Sequence, residues 1–158
     1  MNKLEIWNTN DVISLGKSET VLEEASAGSS VERTEKARNG LISIPYADTL
    51  EERQLILDIG MLLFPNGLTN NNQKNDVKIV FTANKYCCPL ITSDGGSNSQ
   101  PGGILGNARR LKNELRIDVM NDKRAVALVK NSIKNRDASC RNVSKKTGEP
   151  LPSWVGID

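Results

Sequence analysis

Two aspartates, Asp76 and Asp94, flank one segment of the chain, and their carboxylates could hold a metal ion. We predict that Asp76 begins a helix and that Leu90, Ile91 and Thr92 form the buried strand that leads to Asp94. A helix and a strand that run in opposite directions bring the chain back to its starting edge, so both carboxylates are expected there. Two acids held close together raise one pKa unless a cation lies between them, and Mg²⁺ and Mn²⁺ favour oxygen ligands.

The residue types in the chain restrict which chemistry is available to it. The sequence contains no histidine, which excludes Ser-His and Cys-His nucleophile arrangements. The chain has three cysteines, Cys87, Cys88 and Cys140, and no two of them have CxxC spacing. Adjacent cysteines form a disulfide with each other only with strain. We interpret the three as buried or reduced thiols in a reducing compartment rather than as a zinc site or a disulfide framework. Carboxylates, with or without a metal ion, are the groups left to carry chemistry.

The overall composition is typical of one ordinary domain. The 158 residues suffice for a core, although an apolar share of 37% and an aromatic share of 4% place much of the sequence in loops or tails. No apolar run approaches the ~20 residues that cross a bilayer, and no signal-peptide pattern opens the chain, so we expect a cytoplasmic protein without membrane association. The net charge of +2 gives no strong electrostatic argument for nucleic acid.

Hydrophobic periodicity predicts short strands that alternate with helices. The predicted strands cover residues 11–15, 41–44, 90–92 and 117–120. The first ten residues are predicted to be the end of a helix. Six further helices are predicted to begin at or next to Ser18, Ser30, Thr49, Asp76, Ile104 and Asp122. This alternation predicts an α/β fold, a three-layer α/β/α sandwich with a mainly parallel sheet. No apolar periodicity is sustained after Ser132, so residues 1–131 are expected to form the domain and residues 132–158 an irregular tail.

A family resemblance enters at the segment between the two aspartates. This segment, with its small and apolar helix and its Leu-Ile-Thr-Ser-Asp ending, resembles the second half of a PIN domain. The run SETVLEE at residues 18–24 resembles the helix that brings the family's acidic glutamate. The run LKNELRIDVMND at residues 111–122 is similar to the family's closing helix and strand. The resemblance spans roughly residues 11–129.

The resemblance implies a function and a set of site residues. PIN domains are mostly metal-dependent ribonucleases, many of them toxins of bacterial toxin–antitoxin pairs, and their sites use three or four acidic residues. By resemblance, Asp76, Asp94 and Glu24 would be the catalytic residues and would hold Mg²⁺ or Mn²⁺. Thr92 matches the hydroxyl residue of the same motif. The implied substrate is single-stranded RNA, and a protein antitoxin or a second copy of the chain are the further partners.

One part of the family pattern is missing from this sequence. PIN domains open with a strand that ends in the first metal-binding aspartate, whereas Asn8, Thr9 and Asn10 carry asparagine at the matching place. These residues also lie too near Glu24 for the helix and strand that normally intervene, so we expect the first strand upstream of Met1. The chain then supplies at most three of the expected acids, and an inactive remnant of a ribonuclease is an alternative.

Each of the three acids also has an interpretation that involves no function. Asp94 could form an Asx-turn that leads into Gly95 and Gly96. Asp76 could simply favour the positive end of a helix dipole, and Glu24 could be a solvent-facing helix acid.

Cations that follow the second aspartate could contact RNA. Arg109, Arg110, Lys112 and Arg116 fall on or near one exposed helix face, where solvation is the default and an RNA backbone is the alternative. The loop at residues 95–106 lacks the lysine of a P-loop and the GxGxxG spacing, so its glycines predict a flexible rim. Two functions of other classes stay open: a non-catalytic RNA-binding or scaffold domain, and a nucleotide-binding Rossmann-like regulator.

Overall fold

The computed structural model describes residues 3–38, 49–97 and 100–157, and 64% of this part is helical. In chain order the helices are α1 (Lys3–Thr9), α2 (Glu19–Ala27), α3 (Val31–Arg38), α4 (Leu50–Leu63), α5 (Asn71–Lys85), α6 (Gly103–Gly106), α7 (Ala108–Leu115) and α8 (Asp122–Thr147). The strands are β1 (Leu90–Ile91), β2 (Gly96–Ser97), β3 (Gln100–Pro101) and β4 (Val119–Met120). None of the helices in these ranges has both the length and the apolar character that crossing a membrane requires.

The prediction of a three-layer α/β/α sandwich with a mainly parallel sheet is wrong. Within the described ranges, β1 pairs in parallel with β4, and β2 pairs antiparallel with β3, so each sheet has two strands. The parallel pair sets Leu90 opposite Val119 and Ile91 opposite Met120. The two strands predicted nearest the acidic segment therefore form and pair, but they are not part of a larger layer. The prediction that the first of them is buried is wrong, because Ile91 is exposed.

The strand predicted at residues 11–15 is replaced by the end of a helix. Asp11 has a left-handed backbone with a φ of 56°, and the next residue, Val12, donates its N–H to the carbonyl of Trp7 at 2.9 Å. Together with the bond from Asp11 N–H to Asn8 at 3.2 Å, this is a Schellman motif, which ends α1 and turns the chain. The strand predicted at residues 41–44 lies outside the described residues.

The chain divides into two compact units, Met1–Ser14 with Asp122–Asp158 and, separately, Leu15–Asn121. The division at residue 131 that the sequence predicted does not coincide with either boundary. In the first unit α1 packs against α8, which begins at Asp122 as predicted. The prediction of an irregular tail from residue 132 onward is wrong for most of that segment, because α8 continues to Thr147.

The core of the unit Leu15–Asn121 forms where α4, α5 and α7 meet the end of the parallel strand pair. Its largest fully buried side chains include Phe81, Ile59 and Leu111, each of which contributes about 2 kcal/mol by leaving water. The buried cluster consists of Ile59, Leu62, Leu63, Phe64, Val77, Val80, Phe81, Ile104, Leu111, Ile117 and Val119. This core fixes the positions of α5 and β1, the two elements that lead to Asp76 and Asp94.

Helix α4 begins with a capping box. The hydroxyl of Thr49 accepts the N–H of Glu52, and the Glu52 carboxylate accepts the N–H of Thr49, both at 3.2 Å. The same carboxylate forms a 2.8 Å ion pair with Lys85 at the end of α5, so one side chain joins the start of one helix to the end of the next.

Candidate acidic site

The route from the parallel strands to Asp94 is set by backbone hydrogen bonds. Thr92 donates its N–H to the carbonyl of Met120 at 3.0 Å, which continues the pairing of β1 with β4 by one residue. The hydroxyl of Thr92 then accepts the N–H of Asp94 at 3.0 Å. Thr92 therefore orients the backbone of Asp94, which is a supporting role near the site.

The carboxylate of Asp94 organises the loop that follows it. One oxygen accepts the N–H of Gly96 at 3.2 Å, which is an Asx-turn, and the other accepts the N–H of Ile104 at 2.7 Å. The carbonyl of Asp94 also accepts the N–H of Leu105 at 3.1 Å. A carboxylate offers about four acceptor positions, so two of them remain for a cation or a donor. Asp94 thus has a structural role and retains acceptor capacity.

Gly103 makes this arrangement possible, and the sequence alone did not single it out. A β-carbon on Gly103 would lie 2.5 Å from the Asp94 carboxylate and 2.5 Å from the nitrogen of Gly96. Its φ of +54° is also a conformation that side chains disfavour. The Pro-Gly-Gly run that contains it predicted a flexible rim, whereas one of its glycines is required by close packing on the candidate acid.

Asp76 lies inside α5 rather than at its start. The helix begins at Asn71, and the side chain of Asn70 caps it by accepting the N–H of Gln73 at 2.9 Å. The prediction that Asp76 begins the helix is therefore wrong, because part of the asparagine-rich run serves as cap and first turn. The interpretation of Asp76 as an N-terminal helix acid loses its basis.

Glu24 is attached to α5 by a neighbour of Asp76. The side-chain amide of Asn75 donates a 2.8 Å hydrogen bond to the Glu24 carboxylate, which joins α2 to α5. Sequence reasoning missed Asn75, which lies in a run of polar residues without a recognisable motif. Glu24 is exposed, so its carboxylate is accessible to solvent as well.

The charges of the three acids meet at Asp76. Burial raises the pKa of this half-buried carboxyl, and the nearby charges of Asp94 and Glu24 raise it further, to about 6. Hydrogen bonding does not contribute to this pKa among the described residues. A carboxyl that is partly desolvated and faces two other acids binds a proton or a cation more readily than an ordinary aspartate does.

The donor set has the chemistry that Mg²⁺ or Mn²⁺ requires, but no finished cage. In the described part of the chain, no group of three acidic, cysteine or histidine side chains is already arranged to hold a metal ion. Mg²⁺ commonly uses only one or two carboxylates and fills its other positions with water and substrate phosphate oxygens. Glu24 on α2, Asp76 on α5 and Asp94 in the loop after β1 are therefore donors of the right type that the described structure does not arrange as a complete site.

Of the four cations predicted to contact RNA, two are occupied within the protein. Arg110 pairs with Glu114 at 3.2 Å and donates to the carbonyl of Leu62 at 3.0 Å. Lys112 forms an ion pair with Asp118. Arg109 is exposed and forms no ion pair with the residues that the structure describes. The helix α7 therefore presents less free positive charge than the sequence predicted.

Comparison with known proteins identifies no relative of this chain. The chain matches no protein-family model, and searches against curated proteins and against solved structures give no significant match.

Proposed function

We propose that Asp76, Asp94 and Glu24 form a divalent-cation site through which the chain hydrolyses single-stranded RNA, as the resemblance to PIN-type ribonucleases implies. The observation that supports this proposal is the raised pKa of Asp76, to about 6, under the charges of the two other acids. Mutual repulsion of three carboxylates is relieved by a cation, and no cationic side chain in the described part of the chain contributes to the pKa of Asp76. Perturbed carboxyl groups of this kind are typical of functional sites.

Asp76 would act as the proton-sensitive member of the site. With a pKa of about 6 it is mostly ionised near pH 7, where it can bind a cation or accept a proton from water. Asp94 would hold its position through the Gly96 and Ile104 amides and offer its remaining lone pairs. Glu24, attached through Asn75, would supply the third carboxylate from the solvent side.

A bound Mg²⁺ or Mn²⁺ would supply the positive charge that activates water and stabilises the charge developing on a phosphodiester. The chain's own residues provide the negative charge that attracts the ion and the backbone that orients Asp94. An inactive remnant would keep this attraction for the ion and lack the hydrolysis.

Two functions of other classes receive less support. A non-catalytic RNA-binding surface on α7 would have to use the cations of that helix. Two of them, Arg110 and Lys112, already form ion pairs with acids. A nucleotide-binding Rossmann-like regulator depends on a large parallel sheet, whereas the described residues form only two-stranded sheets. The α/β/α sandwich of the PIN family is missing from the described residues for the same reason, so the ribonuclease proposal is supported by the three acids and not by the fold.

The partners and the compartment follow from the same proposal. Single-stranded RNA is the substrate class, and a protein antitoxin or a second copy of the chain would be the further partner. A reducing cytoplasm agrees with the free thiols of Cys87, Cys88 and Cys140.

RNA cleavage tests the proposal with variants chosen from the contacts. Labelled single-stranded RNA is incubated with the chain and Mn²⁺, with and without a chelator. We expect cleavage that the chelator stops and that Asp76→Asn lowers on the order of 100-fold. Asp76 is the better choice than Asp94, since replacing Asp94 also breaks the loop that its carboxylate organises.

The matched control uses two adjacent glutamates. Glu24→Gln is expected to lower cleavage, whereas Glu23→Gln, at the neighbouring exposed position of the same helix, should leave it unchanged. If the parent chain cleaves no RNA with Mn²⁺, or if Asp76→Asn cleaves as fast as the parent, the ribonuclease proposal is wrong.

A further inference from the structure

Cys87 and Cys88 lie side by side in the turn between α5 and β1, and both are exposed. Cys87 donates its N–H to the carbonyl of Asn84, and Cys88 donates its N–H to that of Ala83, each at 2.9 Å. With the left-handed φ of 53° at Cys87, these two bonds form the Schellman motif that ends α5.

The fold gives no reason for a cysteine at either position. Cys87 occupies the left-handed position for which glycine is favoured, and a β-carbon there costs about 1 kcal/mol. The thiol of Cys88 is exposed, and among the described residues it makes one weak contact, a 3.2 Å bond to the carbonyl of Tyr86. Since neither burial nor backbone conformation accounts for the two sulfurs, their chemistry is the feature to explain.

Adjacent cysteines are better suited to sharing a third atom than to bonding with each other. Consecutive Cα atoms are about 3.8 Å apart, below the roughly 4.4–6.8 Å of ordinary disulfides, so a direct bond between these sulfurs is strained and easily reduced. An atom inserted between the sulfurs lengthens the bridge and relieves that strain. Soft, thiophilic ions are the ligands that sulfur donors select.

We propose that Cys87 and Cys88 form a dithiol site that binds one thiophilic atom, of the trivalent arsenical class, through both sulfurs. The reaction needs no oxidant: both thiols lose their protons, two As–S bonds form, the As=O bond breaks, and one water leaves. The second As–S bond closes within the protein, which favours it over a single bond by a factor on the order of 100 or more. The third cysteine, Cys140 on α8, offers only one thiol.

Phenylarsine oxide is the probe for this site, with intact-protein mass spectrometry as the measurement. We expect the full chain to take up one phenylarsine group, with loss of one water in total. Excess glutathione, a monothiol, should leave the adduct in place, whereas 2,3-dimercaptopropanol should remove it. The adducts of Cys87→Ser and Cys88→Ser should need on the order of 100-fold less glutathione for their removal.

Two further variants separate the thiol chemistry from the fold. Cys140→Ser should form the adduct as the parent does. Cys87→Gly, which suits the left-handed backbone, should fold at least as well as the parent by circular dichroism and still lose the glutathione-resistant adduct. A resistant adduct that persists in Cys87→Gly or Cys88→Ser, or its absence from the parent chain, overturns the proposal.

Discussion

The side-chain amide of Asn75 donates a 2.8 Å hydrogen bond to the carboxylate of Glu24. This bond holds Glu24, which is exposed on α2, beside α5. The charge of Glu24 is one of the causes that raise the pKa of Asp76. The site therefore depends on a residue that is not itself an acid. A substitution at Asn75 should therefore reduce the effect of the Glu24 charge on Asp76 without changing Glu24 itself.

Replacing Asn75 with alanine should loosen Glu24 from α5. We expect a loss of about 1 kcal/mol in the free energy of unfolding, since the bond involves a charged acceptor but is exposed. Urea denaturation measures this loss. Asn72→Ala, the same change at an exposed position of the same helix, is the control and should cost less than about 0.5 kcal/mol. Equal losses in the two variants would contradict the role given to Asn75.

Replacing Asp76 with asparagine should stabilise the protein near pH 7. The pKa of Asp76 is raised from 3.8 to about 6, so the folded chain binds this proton more tightly than the unfolded chain does. The resulting penalty is fully present above pH 6 and is relieved as the pH falls toward 3.8. With allowance for solvent screening, the gain near pH 7 is about 1 kcal/mol, or roughly 3 °C in Tm.

Thermal melts of Asp76→Asn across this pH range check the sign as well as the size. The gain over the parent should shrink steadily toward pH 4, where the parent's Asp76 is itself protonated for most of the time. A variant less stable than the parent near pH 7 would show that Asp76 has a favourable partner.

A side chain at Gly103 should disrupt the loop that Asp94 organises. In Gly103→Ala the new β-carbon would meet the Asp94 carboxylate and Gly96 at 2.5 Å, with a φ of +54°. We expect a loss of about 2–4 kcal/mol in the free energy of unfolding. Gly106→Ala is the control: a β-carbon there meets nothing within 4 Å, so that variant should be neutral or slightly more stable. Similar melts for the two variants would contradict this packing.

The end of the chain should depend on a buried aspartate. The carboxylate of Asp137 is 7% exposed; it pairs with Arg136 at 2.8 Å and accepts the N–H of Gly156 at 2.8 Å. The guanidinium of Arg136 also lies 4.4 Å from the ring centre of Trp154. Asp137→Ala should release this segment, which proteolysis after Trp154 and a red shift in tryptophan emission would detect.

The pH dependence of this contact has the opposite sign to that of Asp76. The hydrogen bond from Arg136, followed by that from Gly156, lowers the pKa of Asp137. Stability from the contact is therefore present above the ordinary aspartate pKa and lost only as the pH falls through the lowered value. Release of the segment in the parent between pH 5 and 7 would contradict this assignment.

Local sequence patterns predicted several of the residues that start helices and the place of one strand. Thr49 was expected to cap α4 and does so, with Glu52 completing the capping box. Asp122 was expected to start α8, and a strand was expected where Leu90 and Ile91 pair with β4. These predictions depend on a few neighbouring residues, which is why they could be made without knowledge of the fold.

The long-range features could not be derived from such patterns. Helix α8 buries only Ala125 and Asp137, so it lacks the apolar stripe by which its second half could have been recognised. The large sheet was inferred from alternating elements, one of which is a helix end at Asp11. Likewise, the contact between Asn75 and Glu24 joins residues far apart in the sequence, and no local pattern indicates it.

The most direct test of the cation site is the change in Tm that Mn²⁺ causes at two pH values. Near pH 7, millimolar Mn²⁺ should raise the Tm of the parent by mass action. Near pH 5 the apparent affinity should be about tenfold weaker, because protonation of Asp76, with its pKa of about 6, competes with the ion. Asp76→Asn should abolish the rise at both pH values, whereas Glu23→Gln should retain it. An unchanged Tm of the parent near pH 7, or an equal rise in the parent and in Asp76→Asn, would contradict the assignment of these carboxylates to a cation.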